Sequence, residues 1–117
     1  NFVVKDSGKR ETFETGARRD DRSGKGRFDL IHFEFLRRLA LVCEAGAIKY
    51  GDNNFLKGMP IHRYLDSTCR HINNYRAGMR DEDHIVQAAW NLMAIVATTY
   101  LIDKGELPKE LLEYKKE

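Results

Sequence analysis

The segment Asp81–Lys104, DEDHIVQAAWNLMAIVATTYLIDK, decides the fold. Three acidic residues open it, as is typical of the first turn of a helix, and Gly105 ends it. Almost every position between them is apolar, which predicts a helix that is central and buried rather than one with a single buried face. The chain is therefore expected to be all-α, built around this segment.

Polar residues interrupt the central helix along one line. His84, Gln87, Asn91 and Thr98 fall within about 60° of one another at 100° per residue. A buried polar group without a hydrogen-bond partner costs about 1–3 kcal/mol. The stripe therefore needs polar partners, which a binding pocket or a polar helix contact would supply.

Two amphipathic helices are predicted before the central one. In the first, apolar residues recur at i, i+3, i+4 and i+7, and Gly51 ends the helix; the residues are Leu36, Leu39, Ala40, Cys43 and Ala47. Pro60 suits the first turn of the second helix, whose predicted buried stripe is Ile61, Tyr64, Leu65, Thr68, Ile72, Tyr75 and Met79. With a short amphipathic tail helix over Pro108–Lys116, this indicates a small bundle of three to five helices.

Residues 1–28 have no sustained periodicity, and glycines punctuate their polar sequence, so we expect an extended, Lys- and Arg-rich arm with at most a short strand at Phe2–Lys5. The 117 residues fit a single domain, with the arm at 1–28 and the helical core at 29–117.

Composition excludes some function classes. The net charge of +2 argues against a general nucleic-acid binder. No uninterrupted apolar run reaches the roughly 20 residues of a membrane span, so no membrane partner is expected. Cys43 and Cys69 lack CxxC spacing, which indicates reduced thiols and a cytoplasmic location.

The turn after the first helix, Glu44–Gly58 (EAGAIKYGDNNFLKG), gathers a carboxylate, a cation, amides and two aromatic rings. These groups suit a nucleotide, with Glu44 on Mg²⁺ and Lys49 on phosphate. The plainer interpretation is a helix C-terminus with a favourable Lys and a Gly stop, and spacing alone favours it.

Other candidates are equally ambiguous alone. Asp66 and Arg70 are an i, i+4 pair that fits an exposed salt bridge or a metal and phosphate site. His71 and His84 fit metal binding, acid–base work or structural roles. Asp83 adjoins His84, and the run GKGR (24–27) offers cations and backbone donors to phosphate.

Six motifs, in this order, carry a family resemblance: GARRD (16–20), GKGRFDLI (24–31), EAGAIKYGDNNF (44–55), KGMP (57–60), RYLDSTCRH (63–71) and DEDHIVQAAWN (81–91). Over about residues 13–95 the chain resembles the phage-encoded dATP/dGTP diphosphohydrolase family. That family is similar to the MazG-like NTP pyrophosphohydrolases. The resemblance implies an all-α bundle, usually a dimer or tetramer, that cleaves nucleoside triphosphates between the α- and β-phosphates with Mg²⁺ or Mn²⁺.

Roles follow from the resemblance and from residue type. The catalytic and metal-binding carboxylates would be Glu44, Asp66 and Asp83. The substrate-binding residues would be Lys25, Arg27, Lys49, Tyr50, Asn54, Phe55, Arg70, His71, His84 and Asn91. Among these, the cations would neutralise phosphate, Asn54 and Asn91 would read a base edge, and Tyr50 or Phe55 would stack on it. The ligand would be dGTP- or dATP-like.

One departure leaves alternatives open. The wider superfamily shows EExxE and ExxD on successive helices; here Asp66, Ser67 and Arg70, then Ala88 and Asn91, stand at those positions, leaving one carboxylate of five. We expect a metal-dependent purine (deoxy)nucleoside triphosphate pyrophosphohydrolase, in a bacterial host's cytoplasm if phage-encoded. The alternatives are a phage protein that binds the nucleotide without hydrolysis, and a helical interaction protein whose polar stripe serves oligomer packing.

Overall fold

The structure, a computed structural model, describes residues 2–113, which form two compact units divided between Ile31 and His32. The first unit holds strands β1 (Arg10–Thr12) and β2 (Arg18–Asp20). The second holds helices α1 (Phe33–Tyr50), α2 (Ile61–Arg76) and α3 (His84–Asp103). Short 3-10 turns lie at Phe28–Leu30, Asn54–Lys57 and Lys109–Leu112. The chain is thus mostly helical, as predicted, and the three long helices lie where periodicity placed them.

The N-terminal unit corrects the all-α prediction. Its two strands form an antiparallel hairpin in which Arg10 pairs with Asp20 and Thr12 with Arg18. Gly16, with φ at +86°, closes the turn. The strand predicted at Phe2–Lys5 is wrong, since those residues have no regular structure. The hairpin escaped prediction because its charged strands show no apolar alternation.

Helix α3 packs on both α1 and α2, with α2 as its main partner. Three residues of its polar stripe are buried: His84, Asn91 and Thr98 are 2%, 7% and 1% exposed. Two of these side chains donate hydrogen bonds to carbonyls of their own helix. Asn91 Nδ2 donates to the Gln87 carbonyl at 2.8 Å, and Thr98 Oγ1 donates to the Ala94 carbonyl at 2.7 Å. The inward-facing stripe is therefore confirmed, although much of it needs no ligand.

The prediction that α3 is buried on all sides is wrong for the single chain. Leu92, Val96 and Tyr100 are 47%, 67% and 59% exposed. By length and composition α3 could also cross a membrane, so the absence of a membrane partner stays a prediction. Within the helical unit, α3 packs on both other long helices.

Helix α1 buries no residue. Its predicted stripe does not form a buried face, because Leu36 is 47% exposed and both Ala40 and Cys43 are exposed. The α2 stripe is also only partly buried: Tyr64 and Thr68 are buried, whereas Leu65, Ile72, Tyr75 and Met79 are exposed by 41–48%. The helical unit thus leaves much apolar surface unpaired.

A charged pair ties α1 to α3. The guanidinium of Arg38 donates to both carboxylate oxygens of Asp83, at 2.8 and 2.6 Å. These hydrogen bonds, with the positive charge of Arg38, hold the pKa of Asp83 below its usual range. Asp83 therefore serves helix packing in this structure, which competes with the metal-binding role predicted for it.

The chain between α1 and α2 turns sharply. Gly51, at φ +89°, ends α1 as predicted, and Pro60 lies immediately before α2. A Cβ at Gly58 would come within 3.0 Å of Leu107 and 3.1 Å of Leu111, so this turn lies close against the C-terminal segment. That segment forms a 3-10 turn rather than the predicted tail helix, whose last three residues, 114–116, lie outside the described residues.

Removal of the Arg38–Asp83 pair should loosen α1 from α3. Because the pair is bidentate, partly buried and joins two helices, we expect Arg38→Ala to lower the urea concentration at the midpoint of unfolding. The matched control is Arg37→Ala, which breaks an exposed pair with Glu34 inside α1 and should lower that midpoint less. A double-mutant cycle with Asp83→Ala that gives no coupling energy would contradict this account.

Candidate functional site

A cleft of about 1010 Å³ opens within the helical unit. Its walls are the second half of α1, the turn that follows it, the first half of α2 and the first half of α3. It combines polar and apolar lining groups, as small-molecule sites do. The cleft is therefore the candidate functional site.

The turn singled out in the sequence forms one wall. The structure places all five of its predicted binding or catalytic residues in the cleft: Glu44, Lys49, Tyr50, Asn54 and Phe55. They converge because α1 ends at Gly51 and the chain then folds back through Asn53, which adopts a left-handed conformation at φ 59°. Their clustering follows from the fold; their roles stay predictions.

Helix α3 supplies the facing polar residues. Gln87 Nε2 donates to Glu82 Oε1 at 3.1 Å, and Asn91 Nδ2 donates to the Gln87 carbonyl. Since a carboxylate and a carbonyl can only accept, these bonds fix the orientation of both amides. This wall offers the cleft a carboxylate and two amide oxygens as further acceptors.

Aromatic rings lie between these walls. The rings of Phe55 and Trp90 meet edge to face with centroids 5.5 Å apart, and Tyr64 meets Trp90 similarly at 6.3 Å. Burial raises the pKa of the Tyr64 hydroxyl. An aromatic cluster beside amides and charges can hold a purine ring by its face and edge.

Charged groups complete the cleft. Lys49 and Arg63 provide positive charge, while Glu44, Asp52 and Glu82 provide carboxylates. Cations and carboxylates in one cleft suit a phosphate chain that carries a divalent ion. The cleft thus holds the chemistry expected for a nucleoside triphosphate.

Sequence reasoning assigned no site role to Arg63, Glu82, Gln87 or Trp90, which all line the cleft. A usable signal existed for two of them. Gln87 and Trp90, with Asn91, follow i, i+3, i+4 spacing and so share a helix face. Glu82 was given no site role because the acidic run was interpreted as the start of a helix.

Several predicted site residues lie outside the cleft lining. Asp66 is exposed on α2, and Arg70 donates to Ser67 Oγ at 2.9 Å rather than pairing with Asp66. Asp83 pairs with Arg38, as described above. The structure therefore does not bring Asp66 and Asp83 to the cleft wall with Glu44.

The predicted cations of the N-terminal unit have partners there. Lys25 Nζ lies 2.7 Å from Asp20, and Arg27 makes a bidentate pair with Asp29 at 2.8 and 2.7 Å. The hydrogen bonds from Arg27 lower the pKa of the Asp29 carboxyl. The phosphate contacts predicted for both cations stay predictions.

The two predicted histidines form one buried chain. His71 Nδ1 on α2 lies 2.9 Å from His84 Nδ1 on α3, and His84 Nε2 lies 2.9 Å from Asp81 Oδ1. Burial, with the charge of Arg70 and the neighbouring His84, lowers the pKa of His71. The hydrogen bond from His84 is the main cause that lowers the pKa of Asp81. Neither histidine lines the cleft directly.

One group of side chains is placed so that it could hold a divalent ion. Over residues 2–113, one group of His, Cys, Asp and Glu ligand atoms lies mutually within 4.8 Å, namely Asp81, Glu82 and His84. The predicted trio of Glu44, Asp66 and Asp83 does not form such a group. Residues that fit an ion are thus present, beside the cleft at the start of α3.

Comparison with known proteins gives one match. The family model described as dATP/dGTP diphosphohydrolase, N-terminal, matches residues 15–106. No curated protein and no solved structure matches the chain. The match covers all residues that line the cleft.

Trp90 is the chain's single tryptophan and can report cleft occupancy. We expect dGTP to change its fluorescence, and Phe55→Ala to weaken binding by about 1–3 kcal/mol if Phe55 stacks on the base. Tyr100→Ala is the control, because Tyr100 lies on the same helix as Trp90 but outside the cleft. Equal affinity of the Phe55→Ala variant and the unchanged protein would argue against base stacking there.

Proposed function

Because the chain belongs to the dATP/dGTP diphosphohydrolase N-terminal family, we propose that it binds a purine deoxynucleoside triphosphate in the cleft and hydrolyses it to the monophosphate and pyrophosphate. The observation that supports this proposal most directly is the cleft itself. It gathers aromatic rings, amides, cations and carboxylates from three helices around one space.

The base would be held by the aromatic cluster. Phe55 and Tyr50 offer ring faces or edges, and Asn54 and Asn91 offer hydrogen bonds to its edge. The Asn91 oxygen is free to accept, because its amide nitrogen is occupied by the Gln87 carbonyl. Stacking plus edge recognition is how proteins read an unpaired purine.

The phosphates would lie against Lys49 and Arg63. Charge-assisted hydrogen bonds from these side chains are stronger than neutral ones and would orient the chain for attack at phosphorus. When bound, Mg²⁺ or Mn²⁺ would neutralise phosphate charge and lower the pKa of a bound water. Glu44 would orient that water or contact the ion. The metal-binding and catalytic roles of Asp66 and Asp83 remain predictions without support from their positions.

Binding without hydrolysis is the second candidate function. The observation that favours it is that only Glu44, among the three predicted catalytic carboxylates, lines the cleft. A cleft that lacks two of the predicted catalytic carboxylates can still hold a nucleotide through stacking, amides and cations. Such a protein would sequester the nucleotide rather than consume it.

Self-association would also cover the exposed apolar surface. Phe33 and Ile48 on α1 are 76% and 80% exposed, and Val96 on α3 is 67% exposed. A hollow of about 470 Å³, lined mainly by apolar side chains of all three helices, adds to this surface. Association of copies would bury these apolar side chains, and we propose a dimer or tetramer of this chain.

The proposed compartment is the cytoplasm. Cys43 and Cys69 are free thiols and both are exposed, which suits a reducing environment. The net charge of +2 gives no reason to propose a nucleic-acid partner.

A nucleotide panel tests the catalytic proposal. With Mn²⁺ or Mg²⁺, dGTP or dATP should release pyrophosphate, and Glu44→Gln should lower the rate by about 10²–10⁴-fold if Glu44 acts on the water. Asp103→Asn removes the same charge far from the cleft and should leave the rate unchanged. Tight binding without pyrophosphate would instead support sequestration, and no binding of any nucleotide would contradict both functions.

A charge placed on the exposed face of α1 tests self-association. Ile48→Glu should lower the mass measured by light scattering, because burial of a carboxylate in an apolar interface is unfavourable. Asn73→Glu, at an exposed polar position on α2, is the control. A monomeric mass for the unchanged protein at all concentrations would rule out the assembly.

A further inference from the structure

We propose that Asp81, Glu82 and His84 form the binding site for a first-row transition divalent cation at the edge of the cleft. This inference rests on the proposed function, because it locates the ion that the reaction would use. It differs from the ligand set predicted from sequence, in which none of these three residues was a metal ligand. Glu82 belongs to the cluster and to the cleft lining at once.

The distances suit one ion. The three ligand atoms lie within 4.8 Å of one another, and Asp81 Oδ1 is already 2.9 Å from His84 Nε2. Two bonds of about 2.0–2.2 Å to a common ion allow ligand atoms up to about 4.4 Å apart. A small rotation of the exposed Asp81 and Glu82 side chains therefore suffices to bring all three donors to bonding distance.

The buried imidazole distinguishes this cluster from an ordinary acidic helix start. Asp81 and Glu82 alone are explained by the helix dipole. The helix dipole does not account for His84. Its ring is 2% exposed, with one nitrogen directed at Asp81 and the other at His71. A metal-binding histidine almost always has its second nitrogen held by a hydrogen bond that fixes the ring, and His71 supplies that bond here.

The His71–His84 contact can serve both states of the site. Without an ion, Asp81 accepts from His84 Nε2–H, so His84 Nδ1 accepts from His71 Nδ1–H. With an ion on His84 Nε2, the proton of His84 lies on Nδ1 and donates to His71 Nδ1, and the proton of His71 lies on Nε2. Each ring keeps one proton, so both rings exchange tautomers and no buried nitrogen of the pair loses its partner.

Charge and donor type select the ion. Two carboxylates and a neutral imidazole carry a charge of −2, which balances a divalent cation, while Arg38 is neutralised by Asp83. Mg²⁺ prefers oxygen ligands, whereas imidazole nitrogen favours the later first-row metals. Three protein ligands also leave positions for water and a phosphate oxygen. The site should therefore bind Mn²⁺ more tightly than Mg²⁺.

The test is a Mn²⁺ titration of the full chain without nucleotide, with free Mn²⁺ followed by electron paramagnetic resonance. One saturable site per chain is expected, with Mg²⁺ a weak competitor. Asp81→Asn and His84→Gln should each weaken Mn²⁺ binding by at least about 10–100-fold, the loss seen when even an outer hydrogen-bond partner is removed. Asp103→Asn, an equal charge change at the other end of α3, should bind as the unchanged protein does.

A second readout reports the rings themselves. Nitrogen-15 spectra of the imidazoles should show both His71 and His84 exchanging tautomers as Zn²⁺, a diamagnetic probe, saturates the site. Asp81 is exposed, so the Asp81→Asn variant should keep its melting temperature even where a change of the buried His84 lowers it. This variant keeps the test valid if His84→Gln fails to fold.

The outcomes separate this proposal from the proposed function. Unchanged Mn²⁺ affinity in Asp81→Asn, an equal loss in Asp103→Asn, or unchanged tautomers at Zn²⁺ saturation would each overturn the site. Saturable Mn²⁺ binding lost in Asp81→Asn would support the site even if no nucleotide bound. If the protein hydrolyses nucleotide and Asp81→Asn leaves the Mn²⁺ affinity unchanged, the proposed function stands and this metal site is rejected.

Discussion

The hydrogen bond between His71 and His84 is the contact on which the helical unit depends. Both rings are buried, at 6% and 2% exposure, and their Nδ1 atoms are 2.9 Å apart. A slide of α2 along α3 would leave two buried nitrogens without partners, at about 1–3 kcal/mol each. The contact therefore fixes the register of the two helices. In that register the Tyr64 ring of α2 meets the Trp90 ring of α3 in the cleft lining.

The same contact links the fold to the chemistry. The chain of hydrogen bonds continues from His84 to Asp81, which lies next to Glu82 in the candidate ion site. The Arg38–Asp83 pair lies one residue further on and brings α1, which carries Glu44 and Lys49, against α3. Four residues at the start of α3 thus organise both the packing of the helices and the charge of the cleft, which explains why so polar a segment opens so apolar a helix.

Local sequence rules predicted much of the fold. Gly51, Pro60 and Gly105 marked helix ends correctly, and the spacing of His84, Asn91 and Thr98 correctly gave a polar face that points inward. The hairpin was missed because its register depends on ion pairs such as Arg10 with Asp20, not on apolar alternation. The exposure of α1 was missed because periodicity identifies an apolar face but not what covers it. For the site, the turn at 44–58 was recognisable from its groups, whereas Arg38 with Asp83 and Glu82 with Gln87 required the three-dimensional contact.

The central claim is that this cleft holds a purine deoxynucleoside triphosphate. The most direct measurement is a titration of nitrogen-15-labelled protein with dGTP, in which every amide and the Trp90 indole is followed. The account predicts saturable shifts confined mainly to residues 44–55, 63–67 and 82–91, including the Trp90 indole. Shifts that concentrate elsewhere on the helical unit would contradict it, as would the absence of shifts at millimolar dGTP in the presence of a diamagnetic divalent ion, Mg²⁺ or Zn²⁺.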